Sequence, residues 1–173
     1  MLMHVLHAGG MTPLTDQIRT PDADNPKGYY EFEQVKRLPQ GDIGWLDDAR
    51  GKCVKVISAL LMYLPANYSY DVIFMHRRIA EVLSSQRKML VRRGQATADN
   101  DDDMTVLLQQ HVADVRNWLV NQSNLSLFDA DYNAMVTDPA NWVGRINTFL
   151  GGNLDVVAMR AAVDATLYRN RMP

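Results

Sequence analysis

Apolar and polar positions divide the chain into segments of two different periods. Val72, Ile73, Phe74 and Met75 are consecutive apolar residues rich in strand formers, the pattern of a strand covered on both faces, as in a parallel sheet. From Ile79 the spacing changes: Ile79, Val82, Leu83, Met89 and Leu90 recur on one face at helical intervals. Residues 70–93 therefore read as a strand, a short basic turn and a helix. KCVKVI at 52–57 and LSLF at 125–128 read as two further strands. Helical spacing returns at Met104, Leu107, Leu108, His111, Val115, Trp118 and Leu119, and again at Trp142, Val143, Ile146 and Phe149. Asp138-Pro139 opens the second of these, with Asp as N-cap and Pro at the first helical position, and Gly151-Gly152 closes it. Asp155 reads as the cap of a last helix through Val163. Residues 1–8 (MLMHVLHA) read as a short helix ended by Gly9-Gly10, its first amides without a side-chain cap. Brief helical turns are expected at 31–38 and 58–64.

Strands alternating with helices predict an α/β fold, a parallel sheet flanked by helices, in a single domain over residues 1–173. Three strands make a thin sheet for a chain of 173 residues. Residues 12–51 are polar and punctuated by Pro13, Pro21, Pro26, Gly28, Pro39, Gly41 and Gly44, yet they hold Tyr29, Tyr30, Phe32 and Trp45. A connection that long is unusual unless it is functional or carries short elements of its own. As a whole it reads as a lid-like region, although each aromatic also fits a loop pinned by its own rings.

Composition narrows the functional classes. A net charge of -2 gives no global pull toward nucleic acid or an anionic membrane, so any anion site must be local. Cys53 is the single cysteine and lies in an apolar run. It cannot form an internal disulfide, which fits core filling in a reducing cytoplasm. No apolar stretch approaches the ~20 residues needed to span a bilayer. Residues 1–11 hold no Lys or Arg and so lack the look of a secretory signal. A cytoplasmic protein without a membrane span is expected.

The candidate chemistry sits in the turn after Met75. His76, Arg77 and Arg78 crowd the carboxyl end of a buried strand, the edge at which open α/β sheets bind ligands and where a helix N-terminus favours anions. A phosphate or sulfate site and a solvated basic turn both fit this pattern. His4 and His7 share a helix face, but with no neighbouring carboxylate or thiol they read as surface histidines rather than metal ligands. Asp99 and Asp101, Asp102 and Asp103 precede a helix and complement its dipole rather than mark a metal site. His111 reads as a satisfied core histidine. No metal is expected.

The segments NPKGYYEFE (25–33), GKCVKVIS (51–58), VIFMHRRIAEVLSSQRKML (72–90), DADYNAMVTDPANWVGRINTFLG (129–151) and LYRNR (167–171) resemble short bacterial sulfotransferases. These are P-loop-like α/β enzymes that use 3'-phosphoadenosine 5'-phosphosulfate (PAPS). The resemblance covers nearly the whole chain. Its most specific part is a strand ending in Arg with a Ser eight residues later in the next helix, here Arg77 and Ser85. It implies that this pair holds the 3'-phosphate of the nucleotide. Arg offers a planar fork of donors suited to phosphate oxygens, and Ser85 lies at the border of the helix's apolar face. Arg78 departs from the family, where an acidic residue often follows the Arg. His76 stands where bacterial relatives often carry another Arg. The resemblance also implies a nucleotide-closing role for Arg169 and Arg171, whose ordinary reading is a solvated chain end.

In the family a first strand leads into a glycine-rich loop, roughly G-x-P-R-S-G-T-S, whose amides cradle the 5'-phosphosulfate. MLMHVLHAGGM matches the helix and AGGM-like turn that follow that loop, so the resemblance describes an N-terminally truncated form of the fold. The expectation is that the true start lies upstream of Met1. An open sheet position where the first strand belongs would be sticky, and homodimerisation or poor solubility is expected. The implied reaction is in-line transfer of a sulfuryl group from PAPS to an acceptor hydroxyl or amine. It needs positioning, cations on the leaving phosphate and a base. The candidate bases are His7, Glu31 and Glu33. The partners implied are the nucleotide co-substrate and an unidentified acceptor. The alternative is a non-catalytic nucleotide-binding or interaction module that keeps Arg77 and Ser85 and transfers nothing. A P-loop kinase-like phosphotransferase loses because the sequence holds no GxxxxGK[ST].

Overall fold

The structure, a computed structural model, describes residues 1–16, 18–22, 25, 27–92, 94 and 101–167. Its elements run α1 (Leu2–Ala8), β1 (Tyr70–His76), α2 (Ile79–Arg92), α3 (Asp101–Val120), β2 (Leu125–Asp131), α4 (Tyr132–Thr137), α5 (Pro139–Phe149) and α6 (Val156–Ala162). Short 3-10 helices at Glu33–Gln40, Gly44–Leu46 and Ser58–Tyr63 fill the long connection between α1 and β1. The class is mixed α/β.

β1 and β2 pair in parallel, from Tyr70 opposite Leu125 to His76 opposite Asp131. Parallel strands need a crossover, and α2 and α3 provide it. Consecutive apolar side chains of a strand point to opposite faces. Phe74 and its flanking Val72 pack with Leu61 and with Leu119 of α3. Ile73, Met75 and Phe128 pack on the other face against a core of Val5, Met135, Val143, Ile146 and Met159 from the shorter helices. The run at 72–75 is apolar throughout because both of its faces are covered.

Among the described residues the sheet has two strands rather than three. Residues 52–57 form no strand of the sheet, and only Cys53 is bridged, to Pro13. The Cys53 amide donates to the Thr12 carbonyl at 3.0 Å and the Leu14 amide donates to the Cys53 carbonyl at 2.9 Å. The ladder stops at this single bridge, and β1 hydrogen-bonds β2 instead. The β propensity of KCVKVI is spent on burial: Cys53 joins the core beneath α1, while Val54 and Val56 pack against the cluster around Trp45. α4 is the opposite case, a six-residue helix too short to announce itself by period, started by the Asp131 carboxylate accepting from the Ala134 amide at 3.0 Å.

The helix signals at 138 and 155 are realised as capped starts. Asp138 accepts from the Asn141 amide, and Asp155 accepts from the Val157 and Ala158 amides. α1 has no side-chain cap at its start. Its two terminal glycines serve different ends. Gly10 takes the left-handed φ of 99° that a glycine accepts without strain. Gly9 is there for space, because a Cβ would stand 2.5 Å from Cγ of the buried Met159.

The lid-like stretch divides in two. Phe32 and the 3-10 helices after it pack into their own cluster around Val35, Leu38, Trp45 and Leu46, with Phe32 edge-on to Trp45 at 5.4 Å. Residues 27–30 reach the candidate cleft described below. His111 is half-buried on α3, with its Nε2 2.9 Å from the Ser58 hydroxyl. No helix of the described residues is long and apolar enough to cross a membrane.

Candidate functional site

The basic turn is not one cluster. The alternation of β1 sends His76 to the α3 face, where its Nε2 lies 2.5 Å from Oδ1 of Asp129. The other oxygen of Asp129 accepts from Arg116 at 2.6 Å. Arg77 takes the opposite direction, into a cleft of about 470 Å³ between α1, α2 and the segment at 27–30. Arg78 is exposed and does not line it. Of the three expected cations, one reaches the site.

Arg77 is held from two sides. Its Nε donates to Oε2 of Glu81 at 3.0 Å, and its guanidinium carbon lies 4.8 Å from the centre of the Tyr132 ring. Glu81 is completely buried. It also accepts from the Asn133 amide nitrogen at 3.0 Å on Oε1. A buried carboxylate is tolerated only when paired and hydrogen-bonded, so Glu81 serves as an anchor for Arg77 rather than as a ligand group. Burial pushes the Tyr132 phenol above its usual pKa; Arg77 opposes the rise and Glu81 adds to it.

Ser85 lines the same cleft two turns along α2, half-buried. Lys88 and Arg92 follow it on that helix face and also line the cleft. Positions 85, 88 and 92 recur at the spacing of one helix stripe, a signal present in the sequence that the Arg77–Ser85 pairing alone did not use. Lys27 and Lys55 come from the opposite wall. Among the described residues the lining thus carries Lys27, Lys55, Arg77, Lys88 and Arg92, with Asp164 as a carboxylate. The Lys27 ammonium lies 3.1 Å from Asp164. Hydrogen bonds from Thr166 and Lys27 hold the Asp164 carboxyl down to about 2. A cleft with this balance attracts anions although the chain as a whole is slightly acidic.

The wall formed by residues 27–30 is braced. The Lys55 ammonium donates to the Tyr29 carbonyl at 3.3 Å, and the Arg19 guanidinium carbon sits 3.3 Å from the Tyr29 ring centre. Tyr30 has a φ of 51°, in the left-handed region, where a bulky residue is held only by its surroundings. Its hydroxyl lies 3.3 Å from Nδ1 of His4 and 3.4 Å from Nδ1 of His7.

The proposed bases are dispersed. His7 is exposed and outside the cleft lining, within reach of Tyr30. Glu31 pairs with Arg19 at 3.0 Å and with Lys55 at 3.5 Å, behind the wall. Glu33 pairs with Lys36 at 2.5 Å, away from the cleft. His4, set aside in the sequence as a surface residue, lines the cleft. Burial, followed by nearby Lys27, holds its imidazole below the usual pKa. Arg169 and Arg171 lie outside the described residues. Among the described residues no group of three His, Cys, Asp or Glu side chains could hold a metal ion.

A second, shallower depression of about 650 Å³ lies over α5, lined by Phe128, Gly144, Arg145 and Phe149 among others. Arg145 is its cation and is engaged with Trp142 and Phe128, 4.6 and 5.4 Å from their ring centres. It lacks the converging polar groups of the first cleft, which is the better candidate. No protein family, curated protein or solved structure gives a significant match to the chain.

Proposed function

We propose that this chain is a sulfotransferase-like protein of P-loop-like fold that binds a 3'-phosphorylated adenine nucleotide, PAPS or its product, in the cleft between α1 and α2. The observation that carries the reading is the convergence of Arg77 and Ser85 on one cationic cleft at the carboxyl end of a parallel strand. Arg77 and Ser85 hold the 3'-phosphate. The anchored guanidinium supplies fixed donors, and Ser85 adds a hydroxyl on the helix beside it. Lys88 and Arg92 extend the positive field along α2, and Lys27 and Lys55 face it. Such charge-assisted hydrogen bonds each contribute about 1.5–3 kcal/mol. In the transferring form of the protein, a sulfuryl group passes from PAPS to an acceptor hydroxyl or amine.

A second reading is favoured by one observation: none of His7, Glu31 and Glu33 lines the cleft. The chain would then bind the nucleotide as a non-catalytic module. Calorimetry with 3'-phosphoadenosine 5'-phosphate (PAP) tests the binding shared by both readings, and transfer of labelled sulfate from PAPS to a panel of hydroxyl and amine acceptors separates them. Arg77→Ala alone is a poor control, because it leaves Glu81 buried without its cation. Arg77→Met with Glu81→Gln removes both charges together. The expected result is PAP binding by the native chain, weakened at least tenfold in that pair and in Ser85→Ala. Unchanged affinity in both variants would overturn the assignment.

A further inference from the structure

The Tyr30 hydroxyl lies between two imidazole nitrogens, 3.3 Å from Nδ1 of His4 and 3.4 Å from Nδ1 of His7. His4 lines the cleft and His7 is exposed to solvent. The Tyr30 ring stands edge-on to His7 at 6.1 Å. The phenol therefore joins a group inside the cleft to a group outside it. We propose that His4, Tyr30 and His7 form a proton path from the cleft to solvent.

The chemistry fixes the polarity of the chain. A phenol has one proton to donate, so it can donate to only one of the two nitrogens and must accept from the other. For the cleft to lose a proton, Nδ1 of His4 carries hydrogen and donates to the Tyr30 oxygen, and the Tyr30 hydroxyl donates to Nδ1 of His7. Nε2 of His4 then keeps its lone pair. A proton taken there from a bound hydroxyl leaves the electron pair on that oxygen. The Nδ1 proton of His4 passes to Tyr30, the Tyr30 proton passes to His7, and His7 releases its Nε2 proton to water. One proton moves from the bound oxygen, which keeps the electron pair for bonding to the sulfuryl group, to water, and His4, Tyr30 and His7 each end neutral. Solvent exchange through the open cleft restores the starting tautomers.

The surroundings suit this direction. The charged and titratable groups acting on His4 are Lys27, the amino group of Met1, His7 and Asp164, beside the Tyr30 phenol at its Nδ1. Burial and the first of these hold the imidazole neutral near pH 7, the form able to accept a proton. Burial also raises the Tyr30 phenol, so it relays a proton rather than losing one. Tyr30 presents that hydroxyl from a left-handed backbone, at a φ of 51°, a conformation that the surrounding structure must hold.

The path deepens the transfer reading proposed above and rests on it, since transfer of a sulfuryl group to a hydroxyl releases one proton. Its test does not depend on that reading. Nitrogen-15 spectra of histidine-labelled full-length chain report the tautomer of each ring. The expected result is His4 protonated at Nδ1, the tautomer that isolated histidine disfavours, and His7 protonated at Nε2. In Tyr30→Phe the His4 ring should return to the Nε2-protonated pattern of isolated histidine, while His7 keeps its Nε2 proton. His4 protonated at Nε2 in the native chain, or a His4 tautomer unchanged in Tyr30→Phe, would overturn the proposal. PAP binding measured on the same sample reports on the nucleotide reading separately: the expected tautomers without PAP binding uphold the path and remove the nucleotide.

Discussion

Arg77 donates to Glu81 at 3.0 Å across one turn of chain, and Glu81 has no exposed surface. This pairing explains how a cation at the end of a strand can be rigid enough to serve as a binding group. It also sets a cost. Glu81→Ala removes the partner of a largely buried guanidinium and should destabilise the fold by about 3–5 kcal/mol, measured as a shift in urea-unfolding free energy. Arg77→Met with Glu81→Gln should cost much less than the single change. Equal destabilisation would mean that the pair contributes by packing rather than by charge.

Gly9 tests the packing of α1 on α6. Gly9→Ala places a methyl group against a methionine with no exposed surface, and overpacking of this kind costs about 1–3 kcal/mol. Adding Met159→Ala to Gly9→Ala should cost less than the sum of the two single changes, because the clash disappears with the longer side chain. Strict additivity in thermal or chemical unfolding would argue against the close approach.

Ile146 is wholly buried where α1, α5 and α6 meet the sheet. Ile146→Ala should cost about 2–5 kcal/mol and Ile146→Val about 0.5–1.5 kcal/mol. A loss of under ~0.5 kcal/mol for the alanine variant would mean that this core is not formed in solution.

Stability should fall at both ends of the pH scale for identifiable reasons. The folded Asp164 carboxyl is lowered to about 2 from its ordinary 3.8. Its contribution is complete above pH 3.8 and is lost as pH falls from there toward 2. Asp164→Asn should flatten that part of the acid-unfolding curve. Burial raises the Cys53 thiol from 9.0 to about 11. The unfolded chain ionises first, so stability is complete below pH 9.0 and declines as pH rises toward 11. The same burial makes the thiol unreactive when folded. Labelling by a thiol reagent at pH 8 should be slow in the native protein and fast in urea.

Much of this was legible in the sequence where the period was long or the punctuation strong. The change of spacing at Ile79, the Asp138-Pro139 start and the Asp155 cap each became the expected element. The direction of His76 was also readable, because alternation along a strand puts neighbours on opposite faces; grouping His76, Arg77 and Arg78 by sequence ignored it. Lys88 and Arg92 were readable from their spacing after Ser85, as was Glu81 one turn after Arg77. The rest was not local information. KCVKVI has the propensity of a strand, and only the tertiary placement of its neighbours decides that it keeps a single bridge while β1 pairs with β2. Lys27, Lys55, His4 and Tyr132 reach the cleft from four separate segments, and no local pattern brings them together.

The sharpest measurement compares two nucleotides that differ only in the group Arg77 and Ser85 are assigned to hold. PAP and 5'-AMP share the adenosine and the 5'-phosphate, and only PAP carries the 3'-phosphate. Titration calorimetry on the full chain should show PAP binding at least tenfold more tightly than 5'-AMP, which corresponds to about 1.4 kcal/mol. That preference should vanish in Arg77→Met with Glu81→Gln. Equal affinity for the two nucleotides, or a preference that survives in that variant, would contradict the 3'-phosphate site.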